Sequence, residues 1–83
     1  MNHKELTIYQ IRLANSEAEI ESAIETRIAR FKDKNLNGHL IKNYLSTMTT
    51  LLLNLKREPL EHTAKDNINK AIEIYRKANR SIA

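Results

Sequence analysis

Residues 38–57, GHLIKNYLSTMTTLLLNLKR, contain the apolar pattern that decides the fold. Their apolar residues recur at alternating steps of four and three, at Ile41, Leu45, Met48, Leu52 and Leu55. Because an α-helix has 3.6 residues per turn, this spacing places the five side chains on one face of a helix. Leu40, Tyr44 and Leu51 widen the same face. We therefore predict a long amphipathic helix over residues 38–57 that packs one side against a core.

The segments on both sides of this helix also have helical periodicity. Ser16 followed by Glu19 predicts the N-cap of a helix over residues 16–34. Its apolar stripe would contain Ile20, Ala23, Ile24, Ile28 and Phe31. Pro59 predicts a break and then a helix over residues 59–81. The seam of that helix would contain Ala64, Ile68, Ala71, Tyr75, Ala78 and Ile82.

Charged side chains are expected to support the last of these helices. Each of three pairs has an acidic residue four positions before a basic one, the favourable order on a helix. The pairs are Glu61 with Lys65, Asp66 with Lys70, and Glu73 with Lys77. We predict that these pairs strengthen the helix over residues 59–81.

The N-terminal segment is the ambiguous part of the chain. Its β-branched residues could form a strand, but no later segment has the pattern of a partner strand. We predict a helix over residues 4–14 with Leu6, Tyr9 and Leu13 facing the core. The fold class is then all-α: an antiparallel three-helix bundle within a single domain, with this segment as a short fourth helix or an extension of the helix over residues 16–34.

Composition excludes several function classes. The 83 residues contain no cysteine and only one glycine, which removes disulfide scaffolds, cysteine nucleophiles and glycine-rich phosphate loops. The three histidines do not have the spacing of metal ligands, and no serine lies in a nucleophile motif. We predict a protein that is not an enzyme, without metal or cofactor. No stretch is apolar enough to span a membrane, so we expect a cytoplasmic protein.

Surplus apolar residues predict a protein partner. A chain of this size has a small core, and three helices cannot easily bury every apolar side chain. A row of carboxylates four residues apart on one helix face also calls for a basic surface opposite. We predict a non-catalytic interaction module, such as an adaptor, inhibitor or small chaperone, that binds a partner or a second copy as a homodimer. Its binding residues would be Leu53, Ile74, Ile8, Ile11, Glu17, Glu21 and Glu25.

The alternative is a regulator that binds nucleic acid. The chain has 14 basic and 10 acidic residues, a net charge of +4. If the helices alternate in direction, most of the basic residues gather at one end, where they could bind phosphates. The residues of this basic end are Arg27, Arg30, Lys34, Lys42, Arg76, Lys77 and Arg80.

Overall fold

A computed structural model of the protein describes residues 2–82. These residues form four α-helices, α1 (His3–Leu13), α2 (Glu17–Asp33), α3 (Gly38–Leu55) and α4 (His62–Ser81), and contain no β-strand. The predicted all-helical class is confirmed. Of the two alternatives left open for the N-terminal segment, the structure has the separate fourth helix, because α1 ends at Leu13 and does not continue into α2.

Each of the first three helices has an N-cap residue whose side chain accepts a backbone hydrogen bond. The Asn2 side-chain oxygen accepts a hydrogen bond from the Glu5 N–H, and the Asn37 oxygen accepts one from the Leu40 N–H, both at 2.9 Å. The Ser16 hydroxyl accepts a hydrogen bond from the Glu19 N–H at 3.2 Å, which confirms the N-cap predicted for α2. Each cap satisfies a backbone donor that the helix itself leaves without an acceptor.

Asn35 ends α2 with a left-handed backbone. Its φ angle is 57°, a conformation that asparagine tolerates better than most residues. The Asn35 N–H then donates to the carbonyl of Lys32, and the Leu36 N–H donates to the carbonyl of Phe31. This pair of hydrogen bonds is a Schellman motif, so the chain reverses between α2 and α3 without exposing those two carbonyls.

The turn between α3 and α4 is longer than the sequence predicted. Helix α3 ends at Leu55 rather than residue 57, and α4 begins at His62 rather than Pro59. Pro59 therefore lies in the turn and does not start the helix. Glu61 is the N-cap residue of α4, but its side chain makes no capping hydrogen bond.

The ion pairs of α4 also differ from the prediction. Within residues 2–82, none of the three expected acid–base pairs lies within ion-pair distance. Asp66 pairs instead with His62, at 3.3 Å between Oδ2 and Nε2, and both side chains are exposed. Lys70 reaches across to α2, where its Nζ lies 3.7 Å from a carboxylate oxygen of Glu17. The half-buried position of Lys70 beside α2 favours this contact between helices over one along α4.

Helix α4 lies at the centre of the fold and contacts each of the other three helices. The predicted seams of α3 and α4 are confirmed, because every member is buried or packs against the buried cluster.

Two asparagines of α4 add polar contacts at opposite ends of this helix. The Asn67 amide donates to the carbonyls of Arg12 and Ala14, at 3.3 and 3.0 Å. The Asn79 amide donates to the carbonyl of Lys42 at 3.4 Å. The end of α1 therefore lies beside the start of α4, and the start of α3 lies beside the end of α4.

The orientation predicted for α1 is wrong. Leu6, Tyr9 and Leu13 are 41%, 51% and 59% exposed, whereas Thr7 and Ile11 are buried. The chain can bury Thr7 because its hydroxyl donates to the carbonyl of His3 at 2.8 Å and so keeps a hydrogen bond. With Thr7 inside, the face that carries Ile11 packs against the core, and the opposite face points outward.

No helix among residues 2–82 is long and apolar enough to cross a lipid bilayer.

Candidate protein-interaction surface

The outer face of α1 carries a contiguous apolar surface. Leu6, Tyr9 and Leu13 are three and four residues apart, so they lie on one side of the helix. All three are exposed, by two-fifths or more of their surface. We call this surface the α1 ridge. Neighbouring exposed apolar side chains are more informative than scattered ones, because single exposed leucines are common on protein surfaces.

A groove runs beside the α1 ridge, between α1 and α2. It has a volume of about 690 Å³, and Tyr9 and Leu13 form part of its α1 wall. The α2 wall consists of small side chains, Ser22, Ala23 and Thr26. Charged residues of α2 lie at both ends of the groove, with Glu19 at one end and Arg27 and Arg30 at the other.

Glu19 is held at its end of the groove by the turn between α1 and α2. One of its carboxylate oxygens accepts a hydrogen bond from the Asn15 N–H at 2.7 Å. Its own N–H donates to the Ser16 hydroxyl. The acceptor role of Glu19 in this turn fixes a negative charge beside Leu13 at the rim of the groove.

The four apolar residues predicted to bind a partner differ in how deeply the structure buries them. Ile11 is fully buried in the core, so it cannot contact a partner in this structure. Ile8 and Ile74 are half-buried and pack against the core. Leu53 is exposed on α3, at 37% of its surface. The structure therefore does not gather these four side chains into one surface.

The predicted acidic residues lie along a second groove, between α2 and α4. Glu21 and Glu25 line this groove of about 340 Å³ together with Ile74. The lysines Lys70 and Lys77 line the same groove from α4. Because Lys70 also pairs with Glu17, the basic surface that the acidic row requires is supplied within the chain.

The predicted basic residues share one end of the molecule but lie on different sides of it. Arg27 and Arg30 line the α1–α2 groove, Lys77 lines the α2–α4 groove, and Arg76 and Arg80 line a groove between α3 and α4. The other two are Lys34, the C-cap residue of α2, and Lys42, a half-buried residue of α3. These side chains surround the end of the molecule and do not form a single flat patch.

Two tyrosine hydroxyls lie inside the protein near the basic end. The hydroxyls of Tyr44 and Tyr75 are buried, and neither has a hydrogen-bond partner of acceptable geometry among the described residues. Burial raises the pKa of both, and the positive charge of Arg27 partly opposes that effect. The Tyr44 ring packs edge-on against Phe31 and stacks on His3, so it joins α3 to α2 and α1. These tyrosines are part of the packing between helices.

No group of three or more potential metal ligands occurs within residues 2–82. The chain matches no known protein-family model, no curated protein sequence and no solved structure.

Sequence reasoning missed the α1 ridge because it assigned α1 the wrong inner face. Lys4, Thr7, Ile8 and Ile11 also have helical spacing, but a pattern of apolar residues alone omits the polar Thr7 from the inward face. A threonine hydroxyl can bond to the carbonyl four residues earlier, and this property would have allowed the second assignment.

Proposed function

We propose that this protein is a non-catalytic protein-interaction module that binds through the α1 ridge. The observation that carries the proposal is the contiguous exposure of Leu6, Tyr9 and Leu13 on a single helix face. Burial of apolar surface is the main favourable term in most protein–protein association. Aromatic residues such as Tyr9 are also enriched at interfaces and among the residues that dominate binding energy.

The groove beside the ridge supports the same proposal. The small side chains of its α2 wall leave space next to Leu13 and Tyr9 into which side chains of a partner can fit. The charges at its two ends, Glu19 and the Arg27–Arg30 pair, would fix the orientation of the partner. This combination of an apolar centre and a charged rim is typical of protein-binding surfaces.

Site-specific photocrosslinking in the cells that produce the protein tests this proposal. A benzophenone amino acid replaces Tyr9 in one variant and Leu40 in a control, because Leu40 is an equally exposed apolar residue on α3. We expect protein adducts from position 9 and none from position 40. Absence of any protein adduct at position 9 would contradict the proposal.

A third variant with the same group at Leu53 tests the surface predicted from the sequence. We expect no adduct there, because Leu53 lies on α3, away from the α1 ridge. Adducts from position 53 and none from position 9 would show that the partner binds the α3 surface around Leu53 and not the α1 ridge.

A second candidate function is nucleic-acid binding through the basic end. It is favoured by one observation: within residues 2–82 none of its seven basic side chains takes part in an ion pair. Unpaired arginines and lysines can bind phosphates and release counterions.

Fluorescence anisotropy with a random DNA duplex, in 50 to 200 mM salt, tests the second candidate. If the basic end binds DNA, affinity falls steeply with salt. Arg27→Ala with Arg30→Ala then reduces the salt slope by about one unit for each phosphate that the variant no longer binds. Absence of binding to DNA and to RNA at 50 mM salt would exclude this function.

A further inference from the structure

We propose that the groove between α3 and α4 binds a phosphate group with two negative charges, either as the free ion or as the monoester of a small molecule. This α3–α4 groove has a volume of about 430 Å³. Its lining residues are Ser46, Thr49 and Thr50 of α3 and Arg76, Asn79 and Arg80 of α4. Because none of them belongs to α1 or α2, the site is independent of the α1 ridge.

The two helices bring arginines and hydroxyl groups to matching levels of the groove. The start of α3 lies beside the end of α4, and a short turn joins the other two ends, so the helices run antiparallel. The Asn79 amide sets their register by donating to the Ser46 hydroxyl at 3.1 Å. Arg80, next to Asn79, therefore lies level with Ser46. One helical turn further along the groove, Arg76 lies level with Thr50.

The residues that line the groove include two arginines and no acidic side chain. Arg76 and Arg80 are four residues apart, so they leave α4 on the same side. Neither takes part in an ion pair within residues 2–82. The facing helix cannot neutralise them, because Gly38–Leu55 contains no aspartate or glutamate. Like charges at this spacing destabilise a helix slightly, and an anion bound between them would remove that cost.

Two hydroxyl groups of α3 supply further hydrogen-bond donors. The Ser46 oxygen accepts the hydrogen bond from Asn79, which leaves the hydroxyl hydrogen of Ser46 free to donate. Among residues 2–82, the exposed Thr50 hydroxyl has no hydrogen-bond partner. Thr49 differs, because its hydroxyl donates to the carbonyl of Leu45 at 2.9 Å. The groove thus presents two guanidinium groups and two hydroxyl donors.

This set of donors matches a phosphate dianion. A phosphate monoester carries a charge of about −1.5 to −2 at pH 7 and has three strong acceptor oxygens. Arginine binds such oxygens through its planar fork, often with two parallel hydrogen bonds. A carboxylate or a phosphodiester has a single charge, which one arginine balances. The groove volume lies within the range of about 300–1,000 Å³ for small-molecule sites, so it has room for the group that carries the phosphate.

A second arginine pair at the basic end provides a matched control. Arg27 and Arg30 line the α1–α2 groove, which also contains the carboxylate of Glu19. This carboxylate lowers the positive potential of that groove and repels an anion. The two pairs have equal charge, so a preference for Arg76 and Arg80 would reflect the surroundings of the pair and not its charge alone.

A titration of ¹⁵N-labelled protein with sodium phosphate at constant ionic strength, followed by NMR, tests the site. We expect saturable shifts at residues 46–50 and 76–80, with a dissociation constant on the order of 1 mM. Arg76→Gln with Arg80→Gln should weaken binding by about tenfold or more, whereas Arg27→Gln with Arg30→Gln should leave it unchanged. No saturable shift up to about 50 mM phosphate, shifts that sodium chloride reproduces, or equal weakening by both double variants would overturn the site.

Two further ligands in the same titration identify the source of the phosphate. Tighter binding of glycerol 3-phosphate than of inorganic phosphate would identify a monoester, and equal or weaker binding would identify the free ion; both results support the site. Dimethyl phosphate, a diester with one charge, should bind about tenfold more weakly or worse. Equal affinity for dimethyl phosphate would overturn the dianion and indicate a phosphodiester, as in nucleic acid.

A substitution of one hydroxyl separates a built site from attraction by charge alone. Thr50→Val keeps the shape of the side chain and should weaken phosphate binding by about threefold or more. The control Thr47→Val should have no effect, because Thr47 does not line the groove and its hydroxyl donates to the carbonyl of Asn43 at 2.9 Å. Circular dichroism shows that each variant is folded. Equal affinities of Thr50→Val and Thr47→Val would overturn the site, because charge alone would then account for binding.

Discussion

Thr7 and Leu13 show how a single side chain determines which face of a short helix is buried. Thr7 is only 2% exposed, and its hydroxyl remains satisfied by the carbonyl of His3. Burial of a hydroxyl without such a bond would cost about 1–3 kcal/mol. Leu13, a larger and more apolar residue, is among the most exposed leucines of the protein. This hydrogen bond allows the polar Thr7 to be buried in the core while the apolar Leu13 is exposed.

Paired alanine substitutions test this assignment of α1. Ile11→Ala should lower the free energy of unfolding by about 2–5 kcal/mol, because it leaves a cavity in the core. Leu13→Ala should lower it by less than about 0.5 kcal/mol, since most of the Leu13 residue is already exposed to water. Urea denaturation followed by circular dichroism measures both values. Equal decreases in the two variants would contradict the orientation of α1.

At the scale of the helices, the ends are determined by side chains within a few residues of each terminus. Ser16 and Asn37 cap α2 and α3, and Asn35 provides the left-handed residue that ends α2. Helix α4 is the exception, because Glu61 provides no side-chain cap. Its backbone at Glu61, with φ near −59° and ψ near 151°, is extended as the N-cap position requires. Helix α4 therefore begins without a side-chain hydrogen bond from its N-cap residue to the backbone N–H groups of its first turn.

A better cap at residue 61 should stabilise the whole protein. Glu61→Asp keeps the charge and brings the carboxylate within reach of the first-turn N–H groups, so we expect a gain of about 0.5–1 kcal/mol. Asn37→Ala, which removes an existing cap, should lower the stability by about 1 kcal/mol. Thermal and urea unfolding measure both. Unchanged stability in Glu61→Asp would show that solvent or backbone already satisfies the first turn of α4.

The whole molecule is held together around α4, and Tyr75 lies at that centre. Tyr75 is 1% exposed, and burial raises the pKa of its hydroxyl above the ordinary value of 10.0. Above pH 10 the unfolded chain therefore releases this proton, whereas the native protein retains it. The contribution of Tyr75 to stability is fully present below pH 10 and decreases as the pH rises above it.

Alkaline unfolding should reveal this linkage. Above pH 10, the wild-type free energy of unfolding should fall more steeply than that of Tyr75→Phe, by up to about 1.4 kcal/mol per pH unit. Lysine titration is common to both proteins and cancels in the difference. At pH 7, Tyr75→Phe should be neutral or slightly stabilising, because it removes a buried hydroxyl that has no partner among the described residues. Parallel pH profiles for the two proteins would contradict the burial of the hydroxyl.

The sequence by itself determined the helices and most of their buried faces. Heptad-like spacing in α3 and α4 fixed the positions of Leu45, Ile68 and Tyr75, because a long apolar stripe has only one possible inner face. Cap residues fixed the start of α2 and of α3 for a similarly local reason.

Only the tertiary structure decided the orientation of α1, the start of α4 and the arrangement of charge. Helix α1 is short and has apolar residues on two faces, so its orientation depends on packing against α4. The partner of Glu17 is Lys70, a residue on another helix, which no local pattern could identify. The α1 ridge also depends on the tertiary structure, because it is the face of α1 that the core leaves exposed.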